Sequence, residues 1–346
     1  MRSGHADLFP HRSGLYLSGM DTQASNQPTA SGLEGVRRPE NGVPTRAGFV
    51  TLIGAPNAGK STLLNALVGE RLSIVSKRPQ TTWRRITGIR SDSVHQMIFL
   101  DTPGVLEPRD LIHQALMLEA EGALRDADIL LPVLDPLHPL NEQGRSLLSR
   151  MIRQFGVPVV AAVTKVDLAR DDQIAEQVSW ARTLGAGEVC PVSGTTGQGV
   201  SQLIQALHGR LPESPFFYPE DEVATAPVRF FVGELVRETV FERFHEEIPY
   251  ATFCEVEEFR EGGGRTYIQV NIFVERSSQK GILIGDKGQA IRELGTESRQ
   301  KIEAFLDTPV YLDLWVKVLP RWRKKRGELR RLGLPVPEAG KSRPHG

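Results

Sequence analysis

The chain has 346 residues, with 42 Lys and Arg against 42 Asp and Glu, and it is 40% hydrophobic and 24% charged. At roughly 150 residues per domain, this length predicts two domains or one large one. The composition is globular, which excludes a wholly disordered chain, a collagen-like repeat and a disulfide scaffold. Because positive and negative charges are equal in number, any affinity for nucleic acid or membrane must come from local clusters of Lys and Arg. No apolar run approaches the roughly 20 residues that span a bilayer, so we expect a soluble cytoplasmic protein.

Residues 1–46 are rich in Ser, Gly, Pro, Asn, Gln and Thr and show no apolar periodicity. This composition predicts a disordered arm, and no run in it resembles the apolar core of a signal peptide. Met20 lies inside the arm. The sequence therefore leaves open whether the arm is a real extension or the product of a start site placed too far upstream.

From Gly48 onwards, short β-rich runs alternate with amphipathic helical stretches. This alternation is typical of a doubly wound, mostly parallel α/β sheet, here predicted over residues 47–212. Pro132 has no N–H to donate to a neighbouring strand, so we expect its strand to begin late or to bulge. The predicted strands are Phe49–Ile53, Arg85–Ile89, Met97–Leu100, Ile129–Leu134, Val159–Val163 and Glu188–Val192.

Prolines at 212, 215, 219 and 227 resist continuation of helix or strand and predict a linker over residues 213–227. A smaller α+β domain is predicted over 228–320, and a basic tail over 321–346. The predicted elements of this domain are helix Phe230–Phe244, strand Ala251–Phe259, a turn at Gly262–Gly264, strand Thr266–Val274, a short helix, helix Gln289–Leu306 and strand Val310–Val316.

The strongest chemical motif follows the first strand, where residues 54–61 match the pattern G-x-x-x-x-G-K-[ST]. Its glycines let backbone N–H groups face phosphates, Lys60 brings a cation to the β and γ oxygens, and the Ser61 hydroxyl ligates Mg²⁺. Taken alone, the motif could also be an ordinary Gly-rich turn before a helix. The predicted nucleotide-binding residues here are Gly54, Ala55, Pro56, Asn57, Ala58, Gly59, Lys60, Ser61 and Thr62.

A second loop, Asp101-Thr102-Pro103-Gly104, follows an apolar strand and offers a carboxylate for the Mg²⁺ shell and a glycine N–H for the γ-phosphate. The next residue, Val105, stands where many signalling GTPases carry a water-orienting Gln. The valine side chain cannot orient water, so we expect slow intrinsic hydrolysis of the bound nucleotide. The water would be positioned by backbone groups, by Thr81 or Thr82, or by a group from a partner, and either threonine is also a candidate Mg²⁺ ligand.

A third loop, Thr164-Lys165-Val166-Asp167, lies at the end of another apolar strand and predicts guanine as the base. A carboxylate at Asp167 accepts hydrogen bonds from the guanine N1–H and N2 amino group, whereas adenine would leave the charge unpaired. The Lys165 stem can cover the base face. Ser193-Gly194, after the last strand, offers a backbone N–H to guanine O6. Each short piece alone is a common loop, but their order and their places at strand ends favour a guanine site.

Gly54–Ser61, Gln80–Thr82, Asp101–Gly104, Thr164–Asp167 and Val192–Gly194 resemble the five G-boxes of a translation-factor-type small GTPase. The spacing and the second domain narrow the resemblance to the Era family, a bacterial GTPase followed by a type II KH RNA-binding domain. It covers the chain from about Gly48 to Trp322. The most Era-like stretches are Gln80–Ile86, Ile284–Gly288 and Leu314–Val318.

This resemblance implies GTP and GDP as ligands with Mg²⁺, and 16S ribosomal RNA and the small ribosomal subunit as partners. Three residues depart from the family pattern. Ala55 replaces an Arg, Thr164 replaces the Asn of the guanine loop, and Gly194 replaces an Ala. Thr164 matters most, because the family's Asn ties the guanine loop to the phosphate loop, and a hydroxyl can replace only part of that bonding. Related GTPases hold K⁺ with an Asn at the position of Asn57, although Asn57 could equally be a turn former.

A G-x-x-G loop, Gly285-Asp286-Lys287-Gly288, lies between two helical stretches of the second domain. Such a loop lets the backbone and one cation approach about four single-stranded nucleotides. Alone it could be a helix-helix turn, but the α-β-β-α-α-β order favours a KH domain. Ile282, Leu283 and Ile284 could form an apolar floor for bases or belong to the core. The predicted RNA contacts are Ile284, Gly285, Asp286, Lys287, Gly288, Arg321, Arg323, Lys324 and Lys325.

Together these features predict a monomeric GTP-hydrolysing switch that binds RNA and assists assembly of the small subunit, with Lys60, Thr81, Thr82 and Gly104 as catalytic residues. One alternative is an RNA-binding module whose nucleotide site is structural. A second is an ATP-using kinase or ATPase, which Asp167 disfavours. A third is a membrane-associated signalling GTPase, held weakly at the inner face of the cell membrane by the basic tail, although the sequence has no amphipathic anchor or lipidation motif.

Overall fold

A computed structural model of the chain describes residues 44–75, 78, 81–105, 108, 110–262 and 264–337. Most of the predicted arm, Gly263 and residues 338–346 lie outside the described residues. So does Gln80, which begins the stretch Gln80–Ile86 of the first switch, the segment between helix Lys60–Val68 and strand Ile86–Ser91. Strand β1 begins at Arg46, inside the range predicted as arm.

The first domain is a six-stranded sheet with helices on both faces, as the sequence predicts. Its strands are β1 Arg46–Ile53, β2 Ile86–Ser91, β3 His95–Asp101, β4 Ile129–Leu134, β5 Val160–Val163 and β6 Glu188–Pro191. Its helices are α1 Lys60–Val68, α2 Leu111–Arg125, α3 Glu142–Arg153, α4 Asp171–Thr183 and α5 Val200–His208. The strand order is β2-β3-β1-β4-β5-β6, and only β2 runs antiparallel to its neighbour. The loops after β1, β3, β4 and β5 therefore open at the same edge of the sheet.

Strand β4 runs straight through Pro132, so the predicted late start or bulge is wrong. Pro132 pairs in register with Ile53 of β1. On the β5 side, pairing is found at Leu130 with Val159 and again from Val133 onwards. In a parallel ladder the N–H of residue 132 would point towards β5, which is where the ladder is interrupted. The missing proline donor thus costs one bond without ending the strand.

Residues 213–227, predicted as a linker, contact the sheet from the start of β1 to the edge strand β2. The Gln96 side chain accepts the backbone N–H groups of Phe217 and Tyr218 at 2.7 and 3.0 Å, and donates to the Tyr218 carbonyl at 2.8 Å. The Ile89 N–H donates to the Val223 carbonyl at 2.8 Å. The segment is therefore anchored to the first domain almost until the second domain begins.

The second domain has the predicted α-β-β-α-α-β order with one added helical turn. Its elements are α6 Val228–Arg243, α7 Ile248–Ala251, β7 Phe253–Arg260, β8 Thr266–Val274, α8 Ser277–Ile284, α9 Gln289–Leu306 and β9 Val310–Val318. Central strand β8 pairs antiparallel with β7 and parallel with β9. Buried side chains of β8, including Val270 and Ile272, pack with Leu294 and Ile302 of α9 to form the core.

The described part of the predicted basic tail is folded against both domains. The Trp322 side chain is fully buried, donates to the Ala251 carbonyl at 3.1 Å and lies 5.3 Å from the Trp83 ring. Helix α10, Arg326–Arg331, follows. Leu329 and the nearby Leu332 join a cluster that includes residues of α2. Because apolar residues are spaced through this charged run, the segment up to residue 337 packs against the rest of the protein.

Candidate functional site

The phosphate loop lies between β1 and α1, and its backbone has the form that its motif predicts. Gly59 caps α1 with a left-handed φ of 89°. Lys60 is buried, and its ammonium donates to the carbonyls of Ala55 at 2.8 Å and Gly54 at 3.2 Å. Since burial disfavours the charged form, it lowers the pKa of Lys60 to about 8, although nearby Asp101 opposes this shift. A nucleotide phosphate beside the ammonium would stabilise its charged form.

The loop after β3 approaches the phosphate loop closely. The Val105 N–H donates to the Gly54 carbonyl at 3.0 Å. A Cβ on Gly104 would lie 2.6 Å from the Pro56 nitrogen, so only glycine fits against the phosphate loop here. Thr102 is buried and donates to the Leu52 carbonyl at 2.7 Å, which fixes the start of this loop.

Four oxygen-bearing side chains meet beside these loops. Asp101 Oδ2 accepts hydrogen bonds from Ser61 at 2.8 Å and Ser73 at 2.9 Å. Thr82 Oγ1 lies 3.1 Å from Ser61 Oγ and 3.3 Å from Asp101 Oδ2. The structure thus brings Thr82 to the predicted metal residues, whereas Thr81 presents its carbonyl to Arg237 of the second domain. Sequence reasoning missed Ser73, which belongs to no motif.

This cluster fits Mg²⁺. Asp101 Oδ1 is buried and has no hydrogen-bond partner. Burial raises the pKa of Asp101, while Lys60 and the hydroxyls of Ser61, Ser73 and Thr82 oppose that rise. A hard divalent cation prefers carboxylate and hydroxyl oxygens, and it would satisfy the unpartnered oxygen and favour the carboxylate form.

The predicted guanine loop follows β5. Thr164 is buried, and its hydroxyl donates towards the Ala58 carbonyl at 2.7 Å, with the Leu134 carbonyl at 3.1 Å. Lys165 has a left-handed φ of 55°. Its ammonium donates to the Asn57 carbonyl at 2.8 Å and to Asp135 at 2.6 Å. Asp167 is exposed.

The loop after β6 completes the site. Ser193 is buried, and its hydroxyl accepts the Thr196 N–H at 3.1 Å. A Cβ on Gly194 would lie 3.0 Å from the Thr62 carbonyl oxygen, so the usual Ala of the family would be tight at this position. The Val166 N–H approaches the Val192 carbonyl at 3.4 Å, which joins this loop to the guanine loop. The four predicted loops thus share one edge of the sheet.

In the second domain, Gly285–Gly288 joins α8 to α9 as a tight turn in which Lys287 is exposed with a left-handed φ of 47°. Leu283 is fully buried and belongs to the core, while Ile282 is 51% exposed. Beyond β9, Arg323 pairs with Glu275 at 2.8 Å. The predicted phosphate contacts at Arg321, Lys324 and Lys325 are exposed.

Helix α6 of the second domain contacts both ends of the first switch region, and sequence reasoning missed this contact. The Arg237 guanidinium is buried, donates to the Thr81 carbonyl and lies 4.9 Å from the Trp83 ring centre. The side chain of the neighbouring Glu238 is 1% exposed and bonds Arg71 at 2.7 Å and the Val75 N–H at 3.1 Å. The same carboxylate pairs with Lys301 of α9 at 3.2 Å.

Elsewhere in the described residues, Asp92, His95 and His208 offer possible metal-ligand atoms within 4.8 Å of one another. The two imidazole rings stack with centroids 3.9 Å apart and planes 5° from parallel. An imidazole nitrogen binds a metal through its in-plane lone pair, so parallel stacked rings cannot both face one ion. Burial and the neighbouring His95 lower the pKa of His208, which favours the neutral form of that ring, although Asp92 opposes this shift.

The fold and site define a class: a P-loop GTPase domain joined to a KH domain. A family model described as a 50S ribosome-binding GTPase matches residues 49–165, and a KH domain model matches residues 247–323. The chain is 40% identical to the GTPase Era of Geobacter sp. (strain M21), over 83% of this chain and 97% of that protein. It is also 40% identical to the GTPase Era of Nitratidesulfovibrio vulgaris (strain DP4), over 85% and 98%.

Two solved structures are similar over 84% of this chain and 99% of theirs, each at 32% identity. One is a point variant of Aquifex aeolicus Era bound to GDP·AlF4⁻, with a TM-score of 0.80. The other is Era in complex with MgGDPNP and nucleotides 1506–1542 of 16S ribosomal RNA, with a TM-score of 0.79. The chain belongs to the Era GTPase family and is a GTPase. Among the described residues, no helix is both long enough and apolar enough to cross a bilayer.

Proposed function

We propose that this chain is a GTP-hydrolysing switch that acts in the cytoplasm as a monomer, binds 16S ribosomal RNA near its 3′ end and assists processing and assembly of the small ribosomal subunit. The observation that carries the proposal is the contact of α6 with the loop that brings Thr82 to Asp101. This contact joins the nucleotide site directly to the RNA-binding domain. The complex of a similar Era with 16S RNA supports the choice of RNA.

The roles of the nucleotide-site residues follow from their places. Lys60 and the backbone N–H groups of the phosphate loop would bind the β- and γ-phosphates. Ser61, Thr82 and Asp101 would hold Mg²⁺, which neutralises charge on the transferring phosphoryl group. The Gly104 N–H would meet the γ-phosphate. Val105 supplies no group to orient water, so the attacking water depends on backbone groups, on the Thr81–Thr82 segment or on the ribosomal partner.

Glu238 is well placed to couple nucleotide state to RNA binding. Its carboxylate accepts hydrogen bonds from Arg71 and the Val75 N–H of the first domain and pairs with Lys301 of α9. Helix α9 begins directly after the G-x-x-G loop. A change in the first switch that alters the bonds of Glu238 would therefore reach the helix that carries the RNA-binding loop.

We expect the affinity for a 3′ fragment of 16S RNA to differ at least severalfold between the GDP form and the form with a non-hydrolysable GTP analogue. A scrambled RNA of equal length should bind weakly in both forms. Glu238→Gln keeps an acceptor for the Val75 N–H but removes the charge, so it should bring the two affinities close together. Fluorescence anisotropy would measure them.

Glu242→Gln is the matched control for this experiment, because Glu242 lies on the same helix and pairs with the same Lys301 at 2.6 Å, whereas Arg71 and the Val75 N–H bond to Glu238. It should keep most of the difference between the two nucleotide states. Equal RNA affinities of the unmodified protein with both nucleotides would remove the switch from the mechanism. Equal affinities for the 16S fragment and the scrambled RNA would contradict the proposed partner.

Asn57 is the candidate K⁺ ligand. It has a left-handed φ of 63°, and its carbonyl accepts the Lys165 ammonium. If Asn57 helps hold K⁺ against the phosphates, GTP hydrolysis should be severalfold faster in KCl than in NaCl at equal ionic strength. Asn57→Ala should remove that difference with little loss of GDP binding. Equal rates in the two salts would assign Asn57 to the turn and leave an external activator as the source of useful turnover.

A further inference from the structure

The side chain of Thr164 ties the guanine loop to the phosphate loop through a single hydroxyl proton. Thr164 Oγ1 has two carbonyl oxygens within reach, those of Ala58 at 2.7 Å and Leu134 at 3.1 Å. A hydroxyl carries one proton and can donate fully to only one of them, whereas an Asn amide has two N–H groups. The Thr164 side chain therefore provides fewer bonds than the Asn usual at this position.

A second tie exists one residue further along, through Lys165. Its ammonium bonds the Asn57 carbonyl of the phosphate loop at 2.8 Å and the Asp135 carboxylate at 2.6 Å. The Asp135 side chain is 4% exposed and that of Lys165 is 27% exposed, so solvent screens this pair only in part. Charge-assisted bonds of this kind are stronger than those between neutral groups.

Asp135 is itself held in place. It follows β4 directly, and its Oδ1 accepts the Leu137 N–H at 2.8 Å. Its other oxygen also lies 3.2 Å from the mostly exposed His138 ring. The carboxylate is thus fixed at the end of β4, next to the end of the paired strand β5, whose following loop carries Lys165. No nucleotide-binding motif of the sequence includes this residue.

We propose that Asp135 is a positioning residue for guanine-nucleotide binding. It holds the Lys165 ammonium against the phosphate loop, so that the lysine stem covers the base, and it compensates for the bonding that Thr164 lacks. Asp135 acts through Lys165 and reads no atom of the base itself. This inference rests on the assignment of Thr164–Asp167 as the guanine loop.

The test is a double-mutant cycle with fluorescent GDP. Asp135→Asn can still accept the Leu137 N–H but loses its charge. It should weaken GDP binding about tenfold, mainly through faster dissociation, and raise the KM for GTP far more than it changes kcat. In a Lys165→Met background the same substitution should have almost no effect, because the ammonium that Asp135 holds is gone. Inosine diphosphate should lose affinity by the same factor as GDP, since Asp135 does not read the N2 amino group.

A rescue variant tests the compensation. Thr164→Asn should strengthen GDP binding more in the Asp135→Asn background than in the unmodified protein. Asp172→Asn, which breaks an exposed pair between Asp172 of α4 and Arg170 just before that helix, is the matched control and should leave GDP affinity unchanged.

Unchanged GDP affinity of Asp135→Asn would overturn the proposal, and so would an equal loss in the Lys165→Met background, which would indicate a merely structural role. A different experiment shows whether the assignment of the guanine loop itself is wrong. Asp167→Asn would then give no gain for xanthine nucleotides, whatever the outcome at Asp135.

Discussion

Replacing Asp167 by Asn is expected to weaken GTP binding by about 100-fold or more and to improve the binding of xanthosine triphosphate. In the proposed site the carboxylate accepts two hydrogen bonds from guanine, each contributing about 1.5–3 kcal/mol because the acceptor is charged. An amide in its place can accept only one and turns a donor towards the other. Xanthine carries a carbonyl where guanine has its amino group, so that donor finds a partner.

Competition binding with the two nucleotides measures this change directly. The loop should keep its shape, because Thr164 and Lys165 anchor it to the carbonyls of Ala58 and Asn57 while Asp167 is exposed. Asp172→Asn removes one surface carboxylate nearby and should leave the nucleotide preference unchanged. A loss of GTP affinity without any gain for xanthosine triphosphate would mean that Asp167 does not face the base.

Much of the fold could be predicted because its elements carry strong local patterns. Strands Ile129–Leu134 and Thr266–Val274 and helix Gln289–Leu306 are confirmed to the residue, and the ends of the other predicted strands shift by up to three residues. The predicted late start or bulge at Pro132 is wrong because a proline can stay in a central strand when the hydrogen-bond ladder is interrupted on one side only. Which side the missing N–H faces depends on strand order, which a local pattern does not specify.

The C-terminal segment shows a second limit of local patterns. Its dense Lys and Arg predict a basic tail, but Trp322 and Leu329 are fully buried. Their partners, which include Trp83 and Ile112, lie more than two hundred positions earlier in the chain. Apolar residues this sparse form no continuous helical stripe, and their burial follows only once the two domains are in contact.

The same reasoning applies to the nucleotide site. The phosphate, metal and guanine loops are contiguous motifs, and the structure brings all of them to one edge of the sheet. Ser73 and Asp135, by contrast, contribute single side chains from outside every motif. Arg237 reaches Thr81 across 156 positions of sequence. A residue that acts through another residue belongs to no motif with a recognisable spacing in the sequence. Its role therefore becomes visible only in the three-dimensional structure.

Replacing Lys287 by Asp is expected to abolish RNA binding while leaving GTP hydrolysis and thermal stability almost unchanged. The side chain is exposed at the tip of the G-x-x-G turn, where its charge can meet the sugar-phosphate backbone. Asp places a negative charge against those phosphates. The left-handed φ of 47° at this position is one that Asp and Asn tolerate better than most residues, so the turn should persist.

Two further variants separate charge from shape. Lys287→Asn fits the same backbone without a charge, so it should fall between the unmodified protein and Lys287→Asp, and it should reduce the salt dependence of RNA binding. Arg150→Asp, exposed on α3 of the GTPase domain, makes the same change in net charge away from the KH domain and should have little effect. Undiminished RNA affinity of Lys287→Asp would overturn the role of the loop. An equal loss in Arg150→Asp would attribute the effect to overall charge, because a specific contact depends on where the charge lies.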